Sequence, residues 1–236
     1  MAKLLFFDLS HTYTVDGEEY PSVSEISRFA SREIYGEVNQ FNLDNACNRG
    51  SAVHKATEVL DKYGVVECAE DIENYIRAYV SFRKDFGIKD YAYIEKPLAN
   101  ETLKYAGTID RIYKIDEKFI NSVEDLCCET IIIGENGKVE KRKGEVDLSL
   151  MKDSFAIIDI KSSSVVQNVL ALIQLNAYKE SVEVNELGVV GALFILHLEK
   201  DGKYKLINVE MDNNLFFACL ALHNALKKKK RIKKEK

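Results

Sequence analysis

The chain has 236 residues, 46% hydrophobic and 30% charged, which suits one soluble globular domain and excludes a disordered or low-complexity polypeptide. The two prolines, Pro21 and Pro97, exclude a proline-rich linker, and the longest apolar run, 189–198, is too short to span a bilayer. The formal net charge is −5, yet residues 227–236 carry eight basic side chains and one acid, so the rest of the chain is distinctly acidic.

Residues 1–8, MAKLLFFD, lack the long apolar region and small-residue cleavage site of a signal peptide, so a cytoplasmic protein without a membrane segment is expected. The five cysteines (47, 68, 127, 128 and 219) form no C-x-x-C, and their odd number argues for free thiols in a reducing compartment. The basic stretch 227–236 has two readings: a mobile arm for a polyanion, or a solvated helix end whose cations meet the negative end of the dipole.

In chain order, residues 4–20 read as two short extended pieces around Asp16-Gly17, a hairpin signal. Ser22 with Glu25 three residues later forms a capping box, opening a helix to about Tyr35. Residues 43–63 repeat Ala52, Val53, Ala56, Val59, Leu60 and Tyr63 at helical spacing, with Gly50 where another backbone is expected to approach. His54 lies one turn on, beside the apolar stripe, as a core histidine or a ligand; His11, His197 and His223 have no comparable setting. Residues 70–86 form a third amphipathic helix, closed by Gly87.

Strands then dominate: 91–98, 103–115, 130–133, 138–143, 145–150 and 155–161. In the last of these, 155–160 is apolar except for Asp159, an expensive place for a carboxylate without a partner. Lys161, two residues on, points to the same face. A helix over 166–181, a hairpin of 188–199 and 204–210 about Asp201-Gly202, and a helix over 212–230 complete the chain. This order predicts an α/β fold with a central mixed β-sheet flanked by helices, as one domain over 1–226 followed by the basic tail 227–236.

Four patterns stand in one order: Gly50-x-x-x-His54, Gly107-x-x-Asp110, Asp159-x-Lys161 and Gln174-x-x-x-Tyr178. Each alone is a weak signal. Together, each on the expected element, they resemble the RecB-type branch of the PD-(D/E)XK nuclease superfamily. The opening segment 13–24 is similar to small phage and prophage exonucleases of that branch. The resemblance covers 50–178 and implies a restriction-endonuclease-like core. It implies a metal-dependent DNA nuclease, above all an exonuclease acting in phage or prophage recombination or DNA processing. Alternatives are an endonuclease on the same core, a non-catalytic DNA- or protein-binding module that keeps the fold, and a different hydrolase in which Asp159 and Lys161 form only a salt bridge.

By the same resemblance Asp110, Asp159 and Lys161 are catalytic. His54, Asp110, Asp159 and the carbonyl of Ile160 would hold Mg²⁺ or Mn²⁺, while Lys161 orients or activates the attacking water. Gln174 and Tyr178, four apart and so on one helix face, would meet the DNA strand. Arg111 would meet a phosphate, or pair with a nearby acid. Glu95 is a weaker candidate for an outer or second metal ligand, against a solvated strand position. The cysteines do not match the four-cysteine pattern of cluster-bearing relatives, so no iron–sulfur cluster is expected. The implied partners are DNA, a single-strand annealing or other recombination protein, and further copies of the chain.

One departure stands out. Asp110 and Asp159 are 49 residues apart, whereas relatives place the two motif strands in a close hairpin. A second Gly-x-x-Asp, Gly144 to Asp147, ends only 12 residues before Asp159. The fuller match around Gly107–Arg111 favours Asp110, with 116–145 as an inserted hairpin region; Asp147 is the rival.

Overall fold

A computed structural model of the chain describes residues 3–7, 12–36, 39–127 and 129–234, with side chains to Lys227. His11 and Cys128 lie outside the described residues. The N-terminal segment is a three-stranded antiparallel sheet of β1 (Leu4–Phe7), β2 (Thr12–Val15) and β3 (Glu18–Tyr20), one strand more than expected. Asp16 and Gly17 both take positive φ between β2 and β3, the backbone a tight hairpin demands. Tyr13, Val15 and Tyr20 pack with Ala99 and Ala106, which fastens this small sheet to the main one.

The capping box at Ser22 is formed, with Ser22 Oγ accepting from Glu25 N–H and Glu25 accepting from Ser22 N–H. The helix it starts, α1 (Val23–Ile26), breaks at Ser27, and α2 (Arg28–Tyr35) follows. The single helix read from the sequence is therefore two. A long α3 (Gln40–Tyr63) closes on Gly64 at φ 79°, and α4 (Glu73–Asp85) is followed by Gly87 at φ 67°.

The main sheet has seven strands: β4 (Tyr93–Asn100), β5 (Tyr105–Lys114), β6 (Glu129–Ile133), β7 (Val139–Lys143), β8 (Phe155–Lys161), β9 (Val190–Leu198) and β10 (Tyr204–Val209). Their order is β4-β5-β8-β9-β10-β6-β7. The β8–β9 and β10–β6 pairs are parallel and the others antiparallel, so the sheet is mixed. A parallel neighbour needs a crossover, and α6 (Asn168–Val184) supplies it between β8 and β9.

Alternation along β8 builds two cores. Ala156, Ile158 and Ile160 bury with residues of α3, α4 and the helix α5 (Glu117–Leu126). Ile157 buries on the other face with α1, α6 and the closing helix α7 (Asn214–Lys234). This is the α/β architecture expected, a mixed central sheet flanked by helices, and it is compatible with a restriction-endonuclease-like core.

The segment 116–145 holds α5 and the β6–β7 hairpin, and β6 extends the sheet beside β10, at the edge away from β4. The helix had a local signal. Asp116 Oδ1 accepts from Phe119 N–H as a cap, and Phe119, Ile120 and Val123 recur at helical spacing. The strand expected over 145–150 does not form. Residues 144–148 have no regular structure, and Val146 and Leu148 instead bury in the core as isolated anchors. The backbone of the basic segment continues α7 to Lys234, and its side chains beyond Lys227 lie outside the described residues. No helix among the described residues is long and apolar enough to cross a membrane.

Gly107 is where this fold tests a single atom. A Cβ there would stand 2.7 Å from Tyr178 Cε1 and 3.2 Å from Val23 Cγ2, both on buried side chains. Gly107→Ala is expected to lower stability by about 1–3 kcal/mol, read from the midpoint of urea unfolding, because a packed ring must shift to admit the methyl.

Candidate metal centre

The site forms where two central strands part. β5 and β8 pair from Lys114↔Phe155 to Arg111↔Ile158, and there the ladder stops. Past that point the N–H of Ile160 has no partner on β5 backbone. The side chain of Asp110 takes it instead, with Oδ2 accepting at 2.7 Å. A buried N–H without an acceptor would be costly, so Asp110 is held by the same bond that seals the opening.

His54 reaches the opening from α3. Its Nε2 lies 3.0 Å from the Ile160 carbonyl, and its Nδ1 lies 3.5 Å from Asp110 Oδ2 and 3.8 Å from Glu95 Oε1. One donor atom from each of His54, Glu95 and Asp110 fits within a mutual span of 4.8 Å. Glu95 thus belongs to the cluster and is not a solvated strand residue. It sits between the pairs Ile94↔Arg111 and Lys96↔Ile109, and so faces Asp110, but with a left-handed φ of 46°. A non-glycine residue in that region is strained, and such strain concentrates at functional sites.

Asp159 and Lys161 project together to the α6 face, as their spacing predicts. Lys161 Nζ is 2.6 Å from Asp159 Oδ2 and donates to Gln174 Oε1 at 3.2 Å. Gln174 Nε2 donates in turn to the Tyr178 hydroxyl at 3.0 Å. Tyr178 is buried against Gly107, so this side chain acts from behind Gln174 and not at the surface. Gln174 itself is half-buried beside the lysine.

The structure bears on three further expectations. Arg111 has no exposed surface: it pairs with Asp61 at 2.6 Å and Glu95 at 2.8 Å, between the rings of Tyr79 and Tyr91. It cannot meet a phosphate from there, and pairing with acids is what it does. Asp147, the rival to Asp110, is exposed in the 144–148 segment, where its Oδ1 accepts from Ser149 N–H. Gly50 does not face a close backbone from another element, since among the described residues no atom beyond its own turn of helix lies within 4 Å of where its Cβ would be. Sequence reading missed Asp61 and Thr57. Both share a helical stripe with His54, Thr57 three residues on and Asp61 seven, and that spacing was the available signal.

The electrostatics follow from crowding acids in a dry site. Burial pushes the Asp159 carboxyl up to about 6 from 3.8, with Asp110 adding to the rise and Lys161 opposing it. Burial works against a charged His54, but Asp110 and Glu95 outweigh it and carry the imidazole up to about 9 from 6.5. Lys161 is raised too: burial favours the neutral amine, and Asp159 and Asp110 overcome it.

These residues fit a hard divalent cation. Asp159 Oδ2 meets Lys161 Nζ at 2.6 Å, while its buried Oδ1 accepts no hydrogen bond among the described residues, so the carboxylate keeps lone pairs free beside the lysine. Carboxylates and a backbone carbonyl suit Mg²⁺ and Mn²⁺, and an imidazole is acceptable to Mn²⁺. His54, Glu95 and Asp110 are the side chains that would hold it, with Asp159 and the Ile160 carbonyl, the other expected ligands, beside them. No family model matches this chain, and no curated protein matches it at a significant level.

Mn²⁺ is expected to raise the thermal midpoint of the wild-type protein and to leave that of Asp110→Asn unchanged, because the amide keeps the bond from Ile160 N–H but not the charge. In EDTA, His54 contributes stability below its unfolded value of 6.5 and loses it as pH rises through about 9. The thermal midpoint should therefore fall across that window, and His54→Gln should remove the fall.

Proposed function

We propose that this chain is a metal-dependent deoxyribonuclease, acting as an exonuclease on DNA ends. The observation that carries the reading is the convergence, at the parting of β5 and β8, of His54, Asp110 and the pair Asp159 and Lys161 from three separate stretches of the sequence. Mere chance matches to short motifs would scatter over the surface. Here they meet at one opening in a central sheet, with Gln174 and Tyr178 continuing the row.

Phosphodiester hydrolysis needs a hydroxide aimed at phosphorus and a screen for the charge that builds on the phosphate. A divalent cation supplies both when bound. The chain's own residues do the rest. Asp110 and Asp159 would hold that cation, and the fixed position of their carboxylates would thereby set where a phosphate can sit. Lys161, kept in its charged form by the two acids, donates to the attacking water or to a phosphate oxygen. Gln174 accepts from Lys161 and is anchored by Tyr178, so the ammonium cannot swing away. Gly50, one turn before His54, presents no side chain of its own, and the space where its Cβ would stand is open. The exonuclease assignment rests on the likeness to small exonucleases, since the same core also serves endonucleases.

End-labelled linear duplex, linear single strand and closed circular plasmid, incubated with Mg²⁺, Mn²⁺ or EDTA, test the reading directly. Linear DNA should be degraded with either metal, and not in EDTA, while the circle survives. Lys161→Gln should slow degradation by about 10²–10⁴-fold. Cutting of the circle would make the protein an endonuclease. Binding of DNA without cutting under either metal would make it a non-catalytic module.

A further inference from the structure

The three donors of the His54–Glu95–Asp110 cluster come from three elements, α3, β4 and β5. Two of them are acids, and like charges do not draw together unaided. Some other contact must fix the spacing of the three elements. One side chain touches all three.

Arg111 Nη1 donates to Glu95 Oε1 at 2.8 Å and to the Asp110 carbonyl at 2.7 Å. Its Nη2 donates to Thr57 Oγ1 at 3.1 Å, and that hydroxyl passes a hydrogen bond to the carbonyl of His54 at 2.9 Å. Its Nε donates to Asp61 Oδ2 at 2.6 Å, seven residues further along α3. Arg111 and Thr57 are both fully buried, and only 2% of the Asp61 side chain is exposed. The guanidinium therefore grips Glu95 directly, Asp110 by its backbone, and His54 through one hydroxyl.

We propose that Arg111 is the positioning residue of the metal centre, and that Thr57 is its relay to His54. This rests on the reading of the cluster as a metal centre. The planar fork matters as much as the charge: its N–H groups leave in fixed directions, so three elements are held at set distances before an ion arrives. A lysine could pair with one of these acids but could not span all the acceptors. Groups that hold metal ligands from behind commonly govern affinity by about 10–100-fold. A plain structural ion pair between Arg111 and Asp61 would tie α3 to β5 and leave the affinity for metal untouched.

The test is the affinity of the folded, full-length protein for Mn²⁺ alone, by titration calorimetry or by the spin resonance of free Mn²⁺, with thermal midpoints measured alongside. Arg111→Lys should bind Mn²⁺ about 10–100-fold more weakly. Thr57→Val should also bind more weakly, whereas Thr57→Ser, which keeps the hydroxyl, should match wild type. Val123→Ala, a truncation in the same core cluster away from the network, should lose stability at unchanged affinity. If Arg111→Lys does not fold, the Thr57 pair decides. Arg111→Lys or Thr57→Val binding Mn²⁺ as tightly as wild type, with only the midpoint lowered, would overturn the proposal. A wild-type protein that binds no Mn²⁺ would overturn the metal centre and this role with it. One that binds Mn²⁺ but cuts no DNA would overturn the nuclease reading alone, and the variant affinities would still decide the role of Arg111.

Discussion

The bond from Ile160 N–H to Asp110 Oδ2 is the constraint around which the site is arranged. It is a side-chain bond standing where a sheet would normally place a backbone one. Because β5 and β8 part beyond the Arg111–Ile158 pair, the end of β8 would expose an unsatisfied donor in the interior of the molecule. Asp110 satisfies it, and in doing so brings its carboxylate beside Asp159, itself only 1% exposed. The two functions of the pairing cannot be separated: the sheet is closed by the same acid that makes it electrostatically uncomfortable.

That discomfort is balanced from several directions. Lys161 stands against Asp159, His54 against Asp110 and Glu95, and Arg111 against Glu95 and Asp61. Buried ion pairs of this kind contribute little net stability, because removing both charges from water offsets most of their attraction. Their worth lies in geometry. Glu95, at its left-handed φ, is held in a conformation that a strand residue would leave if its partners were absent. The surrounding apolar packing, from Val53 and Ala56 on α3 to Leu172 and Leu175 on α6, supplies the stability that makes such an arrangement affordable.

The line from Lys161 through Gln174 to Tyr178 gives the other half of the site the same logic. A flexible lysine is fixed by an amide, the amide by a hydroxyl, and the ring of that hydroxyl by the absence of a side chain at Gly107. Gly107, Asp110 and Arg111 thus act through different neighbours although they lie within one short stretch of β5. Gly107 admits Tyr178, Asp110 faces the opening, and Arg111 turns to the opposite side of the sheet. In the proposed nuclease the residue that touches substrate at this row is Gln174, with Tyr178 behind it.

Much of this was determined by local sequence. The apolar run ending in Asp159-Ile-Lys161, the capping box at Ser22, the turn at Asp16-Gly17 and the stripe of α3 each follow from side-chain spacing or backbone preference, which act over a few residues. Those rules sufficed for most of the strands and helices and for a shared face of Asp159 and Lys161, though not for α5 or the division of α1 from α2. They could not say that the hairpin expected in 116–145 would pair with β10 toward the far edge of the sheet, or that 145–150 would forgo a strand to bury Val146 and Leu148. Nor could they tell that Arg111 would be sealed inside while Glu95 joined the cluster. Periodicity states which residues share a face; it does not state what stands opposite. Whether a charge meets solvent, an ion or an opposite charge depends on groups such as Asp61 and Thr57, about fifty residues away along the chain. Only the packed tertiary structure brings them to it.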